Sequence, residues 1–514
     1  MKISTKHILL YIIGLSFCLK AGGQTNISIK TGQALQFDEE TISRFYDIDS
    51  EYYYLLRLSN KEFIEFNTGE DAFIEVFDKE LNLSKSIRLR LETNDKHKRL
   101  QPVAFCKKND GYFVLCKLYS SANKFIRAYL LQIDESGLVE NNINQLGEIG
   151  NIEPSMQNYQ YFDFKKVYQN DTAKYLFILT TPPELEIVER VSLTIFSEQL
   201  DLLDERLINF PEDILDYKFS ELILGSGGLI FFSLEVTNPH EPDKKMHQLI
   251  VYDIFDDQHK TWEFGFDQGE IAKTLLHRIN EDQLGFMGYY SSDGKSEKPV
   301  GVFYYVFDEY SGQLLRHKIF NLPASEIDRL DPTILGSKSE YEHLYPQSIH
   351  ISGDENIVLT FEYNWKSMML IRDQEGKLYN QPYYKANEIV ITNFDSTDNF
   401  VNMGIVAKQQ LLNHRREHLG FFSFQKDQQL IMIYNDHPKN IDVYQSEKLK
   451  TMKTRFEHVV ATYNIDNASY TKAALQSGKN PCLCDPGDII RISRNTIVFL
   501  NKGNDLMLVE ISFN

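Results

Sequence analysis

The sequence predicts an all-β fold, a single β-propeller of four-stranded blades, and three observations carry that prediction. A short acidic or glycine turn between two strand-like runs recurs eight times: "DIDSEYYYLLRL", "KKNDGYFVLCKL", "YQNDTAKYLFIL", "LGSGGLIFFSL", "INEDQLGFMGYY", "SGDENIVLTFEY", "QKDQQLIMIY" and "ISRNTIVFL". Marked at Asp49, Asp110, Asp171, Gly227, Asp282, Asp354, Asp427 and Asn495, it advances in steps of 55 to 73 residues. An apolar strand closing on an aspartate-type turn recurs seven times between them, marked at Asp78, Asp134, Ser197, Asp256, Asp308, Asp395 and Asp466. One of each per unit spells strand, turn, strand, strand, turn, strand, the reading of a propeller blade. Alternating Val, Ile, Phe and Tyr with Gly, Asn and Asp at the turns favours strands over helices.

The third observation is the missing eighth member of the second series. The chain stops on "DLMLVEISFN", where Met507, Val509, Ile511 and Phe513 point one way and Leu508, Glu510 and Ser512 the other. The last unit therefore has three strands. An open sheet edge leaves a row of unpaired backbone groups, so a strand from the N-terminal side, in "TNISIKTG" or "ALQFDEE", is expected to complete it and close the ring. The count favours eight blades. Seven is the alternative if the first unit, which carries "KEFIEFNTGED", is irregular, and a stack of two smaller β-domains is a weaker one. The sixth unit is the longest, with "KSMMLIRDQEGKLYNQPYYKAN" reading as an extended hairpin, and long excursions from a rigid scaffold are where function tends to sit. The connection "ASEIDRLDPTILGSKSEYEHLYPQ" before it has room for one helical turn.

Residues 1–23 read as a secretory signal peptide: Lys2 and Lys6, an apolar run from Ile8 to Leu19, then small residues. Ala21 and Gly23 place the cut before Gln24, which leaves residues 24–514 as the propeller domain. The apolar run, about 12 residues, is short of the roughly 20 that span a bilayer, and no other stretch is a candidate transmembrane segment. Export to the periplasm, the outer membrane or the exterior follows. Lipidation at Cys18 of "LSFC" is the lesser alternative, since bulky Phe17 departs from the small residue expected there.

Loss of the leader removes three lysines and no acid, taking the net charge from −19 to −22. A chain this acidic, with no basic stripe, repels phosphate backbones, and nucleic acid is not an expected partner. Cys106 and Cys116 flank the turn "KKNDG" and are expected nearly opposite one another, as a disulfide or as buried thiols. In "PCLCDPGD", Cys482 and Cys484 read as packing or a strained local bridge. The aspartate turns lack the alternating-oxygen run of a calcium loop, and Asp, Asn, Ser and Gly are what tight turns need. No metal site and no cofactor is expected. There is no G-x-S-x-G elbow or other nucleophile motif. "HRREH" at 414–418 reads as a solvated interblade loop.

The leader ending before Gln24, the loose blades and above all residues 347–514 resemble the uncharacterised secreted β-propeller proteins of Bacteroidetes. The likeness lies in "FEYNW", "NEIVITNFDSTDNF", "VAKQQ", "IYNDHPKN" and "NTIVFLNKGNDLMLVEISFN", while residues 40–346 match in pattern only. The resemblance implies fold and compartment and attaches no reaction. It picks out Glu362, Tyr363, Lys408, Gln410, Asn435, Asp436 and Asn440 as candidate ligand-binding residues, against a reading of turn and interblade hydrogen bonding. It also makes "DTA" at 171–173 and "DST" at 395–397 resemble an O-glycosylation signal. The expected function is a binding or scaffold protein presenting a face or funnel to a protein or glycan. A polysaccharide- or peptide-acting hydrolase or lyase with its site in the funnel, and a structural subunit of an envelope assembly, are the alternatives.

Overall fold

The computed structural model of the chain describes residues 27–33, 35–36, 42–48, 51–58, 72–91, 100–108, 111–120, 124–150, 162–169, 172–180, 191–199, 201–208, 217–225, 227–238, 241–265, 269–292, 299–330, 343–372, 378–413, 418–452, 456–475, 483–493, 495–502 and 505–513. The expected leader, Cys482, Asp171 and residues 414–417 lie outside them.

The described strands form eight antiparallel sheets, the blades of a β-propeller. Blade 1 is Ile42–Ile48, Tyr52–Leu58, Ala72–Asp78 and Leu83–Leu89; blade 2 is Gln101–Lys108, Gly111–Ser120, Phe125–Asp134 and Val139–Ile149. Blade 3 is Phe162–Gln169, Thr172–Thr180, Val191–Phe196 and Leu202–Ile208; blade 4 is Tyr217–Leu224, Leu229–Asn238, Glu241–Asp253 and Gln258–Phe264. Blade 5 is Glu270–Arg278, Gln283–Ser291, Gly301–Asp308 and Leu314–Asn321, followed by the helix Ala324–Arg329. Blade 6 is His343–Ile351, Ile357–Arg372, Leu378–Phe394 and Phe400–Val406; blade 7 is Phe422–Lys426, Gln429–Asp436, Glu457–Asn464 and Tyr470–Leu475.

Blade 8 is composite. Its first position is shared by Leu483–Cys484 and Ile490–Ser493, both paired to Thr496–Lys502. The break between them falls at Pro486, which has no N–H to give a ladder. Asp505–Phe513 is the third strand, and Ile27–Thr31 is the fourth, from Ile27 opposite Phe513 to Thr31 opposite Val509. Leu35–Gln36 extends the same edge opposite Leu506 and Asp505. Both N-terminal stretches named from the sequence thus pair with the last strand.

Eight apolar cores, one per blade interface, close the circle. Alternate residues of a strand point to opposite faces, so one strand serves two neighbours. Ile497 and Phe499 pack with Phe424, Ile431 and Ile433 of blade 7, while Val498 and Leu500 pack with Tyr53, Leu55 and Phe77 of blade 1. This is why runs such as "TIVFL" read as continuously apolar. Leu508 goes to blade 1, whereas Val509, Ile511 and Phe513 go to blade 7 beside Ile27 and Ile29. A core between blades 8 and 1 exists only if the ring is shut, and eight blades replace the seven-blade alternative.

The third-to-fourth-strand turns are held by side-chain oxygens. Asp134 Oδ1 accepts the N–H groups of Ser136 (2.8 Å) and Leu138 (2.9 Å), and Asp395 Oδ1 those of Thr397 and Asn399 (both 2.9 Å). These bonds, the one from Asn399 foremost, hold the Asp395 carboxyl down at about 2. Two turn markers shift. In blade 4 the acceptor is Asp253 rather than Asp256, and in blade 7 it is Asn464 rather than Asp466.

The cysteine pair is a correction. Cys106 stands opposite Phe113 and Cys116 opposite Pro102, with a register shift between Pro102 and Ala104. Cys116 is buried between blades 1 and 2, Cys106 packs on the core between blades 2 and 3, and no disulfide joins them. Thiols on opposite faces of one sheet cannot bridge.

Candidate functional site

In an antiparallel blade, the turns joining strands two and three and the connections to the next blade leave from the same end. On that end blade 6 is exceptional, its second and third strands running 16 and 17 residues. Pairing with the first strand stops at Asn364, opposite His343, and pairing with the fourth stops at Ile389, opposite Val406. Beyond these points the two strands continue together as an arm, with Trp365 opposite Lys385 and Arg372 opposite Leu378. Eight residues of strand correspond to roughly 25 Å. Gln410–Asn413 straps the base of the arm, pairing with Tyr383–Ala386. Met452 of blade 7 in turn bonds the strap, with Leu411 N–H donating to Met452 O and Met452 N–H to Gln409 O (both 3.1 Å). Met368, Leu370 and Leu378 lie on one face of the arm and are 50% exposed or more.

Six of the seven candidate residues gather at the root of this arm, and all seven are buried. Glu362 sits at the register shift where the arm departs, and its Oε1 accepts from Lys408 Nζ. Lys408 also donates to Gln410 Oε1 (2.9 Å), which accepts Gly420 N–H (3.0 Å), while Gln410 Nε2 donates to Asn435 O. Asn435 Nδ2 donates to His418 O (2.9 Å), so His418 is buried here rather than part of a solvated loop. Asp436 Oδ1 accepts from Asn440 Nδ2 (2.7 Å), and Asn440 exchanges two bonds with the Lys450 backbone (2.7 and 2.8 Å). Tyr363 stands apart: its neighbour on the strand faces the root, and its own hydroxyl donates to Leu330 O (2.7 Å) on the blade 5 side.

The sequence reading did not name Lys472, which completes this lock. Its Nζ donates to Ala407 O (2.6 Å), Val443 O (3.0 Å) and Asn440 O (3.3 Å), tying blade 7's fourth strand to the connector and to the 437–452 segment. Burial lowers the Lys408 ammonium from its usual value, opposed by the Glu362 charge, and brings Lys472 down to about 8. Burial raises Asp436 to about 6, against the Asn440 bond and the Lys472 charge. Asp436 Oδ2 and the Tyr434 hydroxyl are buried with no hydrogen-bond partner among the described residues. With no solvent-open side chain among the seven, this network orders the strap, connector and blade 7 segment beneath the arm.

A second constellation escaped the sequence reading. First strands of successive blades touch from blade 4 to blade 8 and form the inner wall. Glu221 accepts from Leu276 N–H, His277 meets His350 edge-on at 6.3 Å, His350 Nε2 bonds Ser423 Oγ at 2.9 Å, and Arg491 donates to Gln425 O at 3.2 Å. Ser348 Oγ lies 2.8 Å from His350 Nε2, 2.8 Å from Ser423 Oγ and 2.6 Å from Thr360 Oγ1. Among the described residues no cluster of His, Cys, Asp and Glu is arranged to hold a metal ion.

No protein-family model matches this chain, and no curated protein matches it. Solved structures align along most of it at low identity. The WD40 domain of SCAP from fission yeast is 9% identical with a TM-score of 0.36, over 95% of this chain and 98% of that one. The β-propeller domain of the trilobed protease from Pyrococcus furiosus, of open velcro topology, is 11% identical with a TM-score of 0.34, over 86% and 96%. The alpha-L-arabinanase of Penicillium chrysogenum complexed with arabinobiose is 8% identical with a TM-score of 0.34, over 74% and 98%. The fold itself rests on the eight sheets and eight interblade cores.

Proposed function

We propose that this chain is an exported propeller that works by binding, holding a protein partner on the face from which the blade 6 arm rises. The observation that carries the reading is the arm: strands of 16 and 17 residues outrun their blade, and the exposed aliphatic face of Met368, Leu370 and Leu378 stands on a buried, hydrogen-bonded root. A rigid base supports a preorganised contact surface, which lowers the ordering cost of association. Aliphatic side chains at the tip favour a protein over a glycan, whose sugars stack on aromatic rings. The charged, apolar and small-residue order of residues 1–23, and the resemblance to secreted propellers of Bacteroidetes, support an envelope or extracellular setting.

Affinity capture from the native cell envelope tests the reading, using the full chain and a Met368→Ser/Leu370→Ser variant, with a glycan array in parallel. A protein retained by the full chain and lost with the variant supports it. Equal capture by both chains, or binding to glycans alone, overturns it.

A further inference from the structure

We infer that the inner wall of blades 5 to 8 holds a site for a small oxyanion, of carboxylate or phosphate chemistry, near the end of the channel where first strands turn into second strands. His277, Ser348, His350, Ser423 and Arg491 all lie on first strands, contributed in order by blades 5, 6, 6, 7 and 8. His277 and His350 fall within two residues of their strand ends at Arg278 and Ile351, which fixes the level in the channel. This is the end away from the arm.

The chemistry of the set is that of donors. Ser348, Ser423 and His350 Nε2 form a closed triangle of contacts at 2.8, 2.8 and 2.9 Å, and Thr360 Oγ1 joins it at 2.6 Å from Ser348 Oγ. Thr360 Oγ1 also reaches the Ser348 carbonyl at 3.3 Å. Nε2 either donates or accepts, so three of the four contacts are hydrogen bonds at any one time. Nε2–H and Ser348 O–H can both donate to Ser423 Oγ, and Thr360 O–H to Ser348 Oγ, which leaves the Ser423 proton unused. Ser423 is only half-buried, and a turn of its hydroxyl toward the channel offers a proton outward, with its Oγ still accepting from the neighbours. An acceptor ligand is what such a set receives.

The charge nearby has the matching sign. Arg491 is exposed and held in place by its bonds to Ser493 O (3.1 Å) and Gln425 O (3.2 Å), the latter two residues along the strand from Ser423. Burial keeps both imidazoles neutral, His350 at about 3 and His277 at about 4, and the permanent charge of Arg491 pushes His350 further the same way. Other charged groups on these strands point to other partners. Glu221 accepts from Leu276 N–H, Arg278 pairs with Glu309, Lys273 lies over Tyr345, and Lys426 donates to Phe513 O. A guanidinium backed by hydroxyl donors binds an oxyanion through charge-assisted hydrogen bonds, whereas a cation would meet Arg491 as a like charge.

Calorimetric titration of the full chain with inorganic phosphate, and separately with malonate, tests the site and distinguishes the two chemistries. Saturable binding of one of them is expected, weakened at least about tenfold by Arg491→Gln and several-fold by Ser423→Ala. Both substituted residues are solvent-accessible, and unchanged melting of the two variants shows that the fold is kept. The Met368→Ser/Leu370→Ser arm variant should bind the anion as the full chain does, which separates this site from the partner face. No saturable binding of either anion, or binding that neither channel variant alters, overturns the inference.

Discussion

Lys408 Nζ and Glu362 Oε1 form an ion pair that neither side chain shares with solvent, across the point where the blade 6 arm leaves its sheet. Removing one member of a buried pair strands the other charge, at a cost of about 3–5 kcal/mol. Lys408→Met is expected to lose that much in urea unfolding. The double variant Lys408→Met/Glu362→Leu should recover a large part of it, because no lone charge is left. A double variant no more stable than the single one would show that the pair contributes more than charge compensation.

The pH dependence at the root has a definite sign. Asp436 is raised to about 6 in the fold by burial, above the ordinary value of roughly 4. Between these values the folded chain holds the extra proton, so stability falls as pH rises through that window, by at most about 1.4 kcal/mol per pH unit. Asp436→Asn should flatten this slope in Tm measured from pH 4 to 6. His350 acts in the opposite sense. Held down to about 3, it contributes stability that is lost as pH falls below its ordinary value of about 6.5.

Ring closure is tested by truncation. A chain lacking residues 25–40 loses the Ile27–Thr31 ladder and the contacts of Ile27 and Ile29 with the blade 7–8 core. A loss on the order of 5 kcal/mol is expected from these terms. An unchanged Tm would contradict closure by this strand.

The thiols should separate by reactivity. Cys116 is fully buried and its thiol is pushed well above the ordinary value by that burial, while Cys106 is partly exposed. In a chain with Cys482 and Cys484 replaced by serine, an alkylating reagent should modify Cys106 first and Cys116 only on unfolding. Added reductant should leave Tm unchanged.

Most of the fold was legible because a blade buried on both faces writes itself into the sequence: continuous apolar strands, punctuated by turn residues that bond their own backbone. Where three acids crowd a turn, as in "DIFDD", composition does not say which oxygen caps the amides, and Asp253 rather than Asp256 does so. The disulfide failed because the hairpin sets Cys106 opposite Phe113, and Cys116, three residues further along that strand, faces the other side of the sheet. Glu362, Lys408, Gln410 and Asn435 do meet, but burial of a polar residue is a tertiary property, and the sequence pattern resembles that of an exposed turn. The inner-wall set was invisible in the sequence because Ser348 and Ser423 are 75 residues apart, and only the circular arrangement of blades makes them neighbours.

The strand Ile27–Thr31 has its partner at Asp505–Phe513. A ribosome delivers the first of these segments long before the second, so that strand waits for its mate while seven blades are made between them. Among the described strands no other pairing spans so long a stretch of sequence, which places the step late and makes it slow. Until then blade 8 carries a bare edge, a template for any stray strand. Lys30, which in the finished ring pairs with Glu80 and donates to Lys79 O, leaves a charge on the waiting segment that discourages such pairing. The ring is fastened by a strand that waited while seven blades were made.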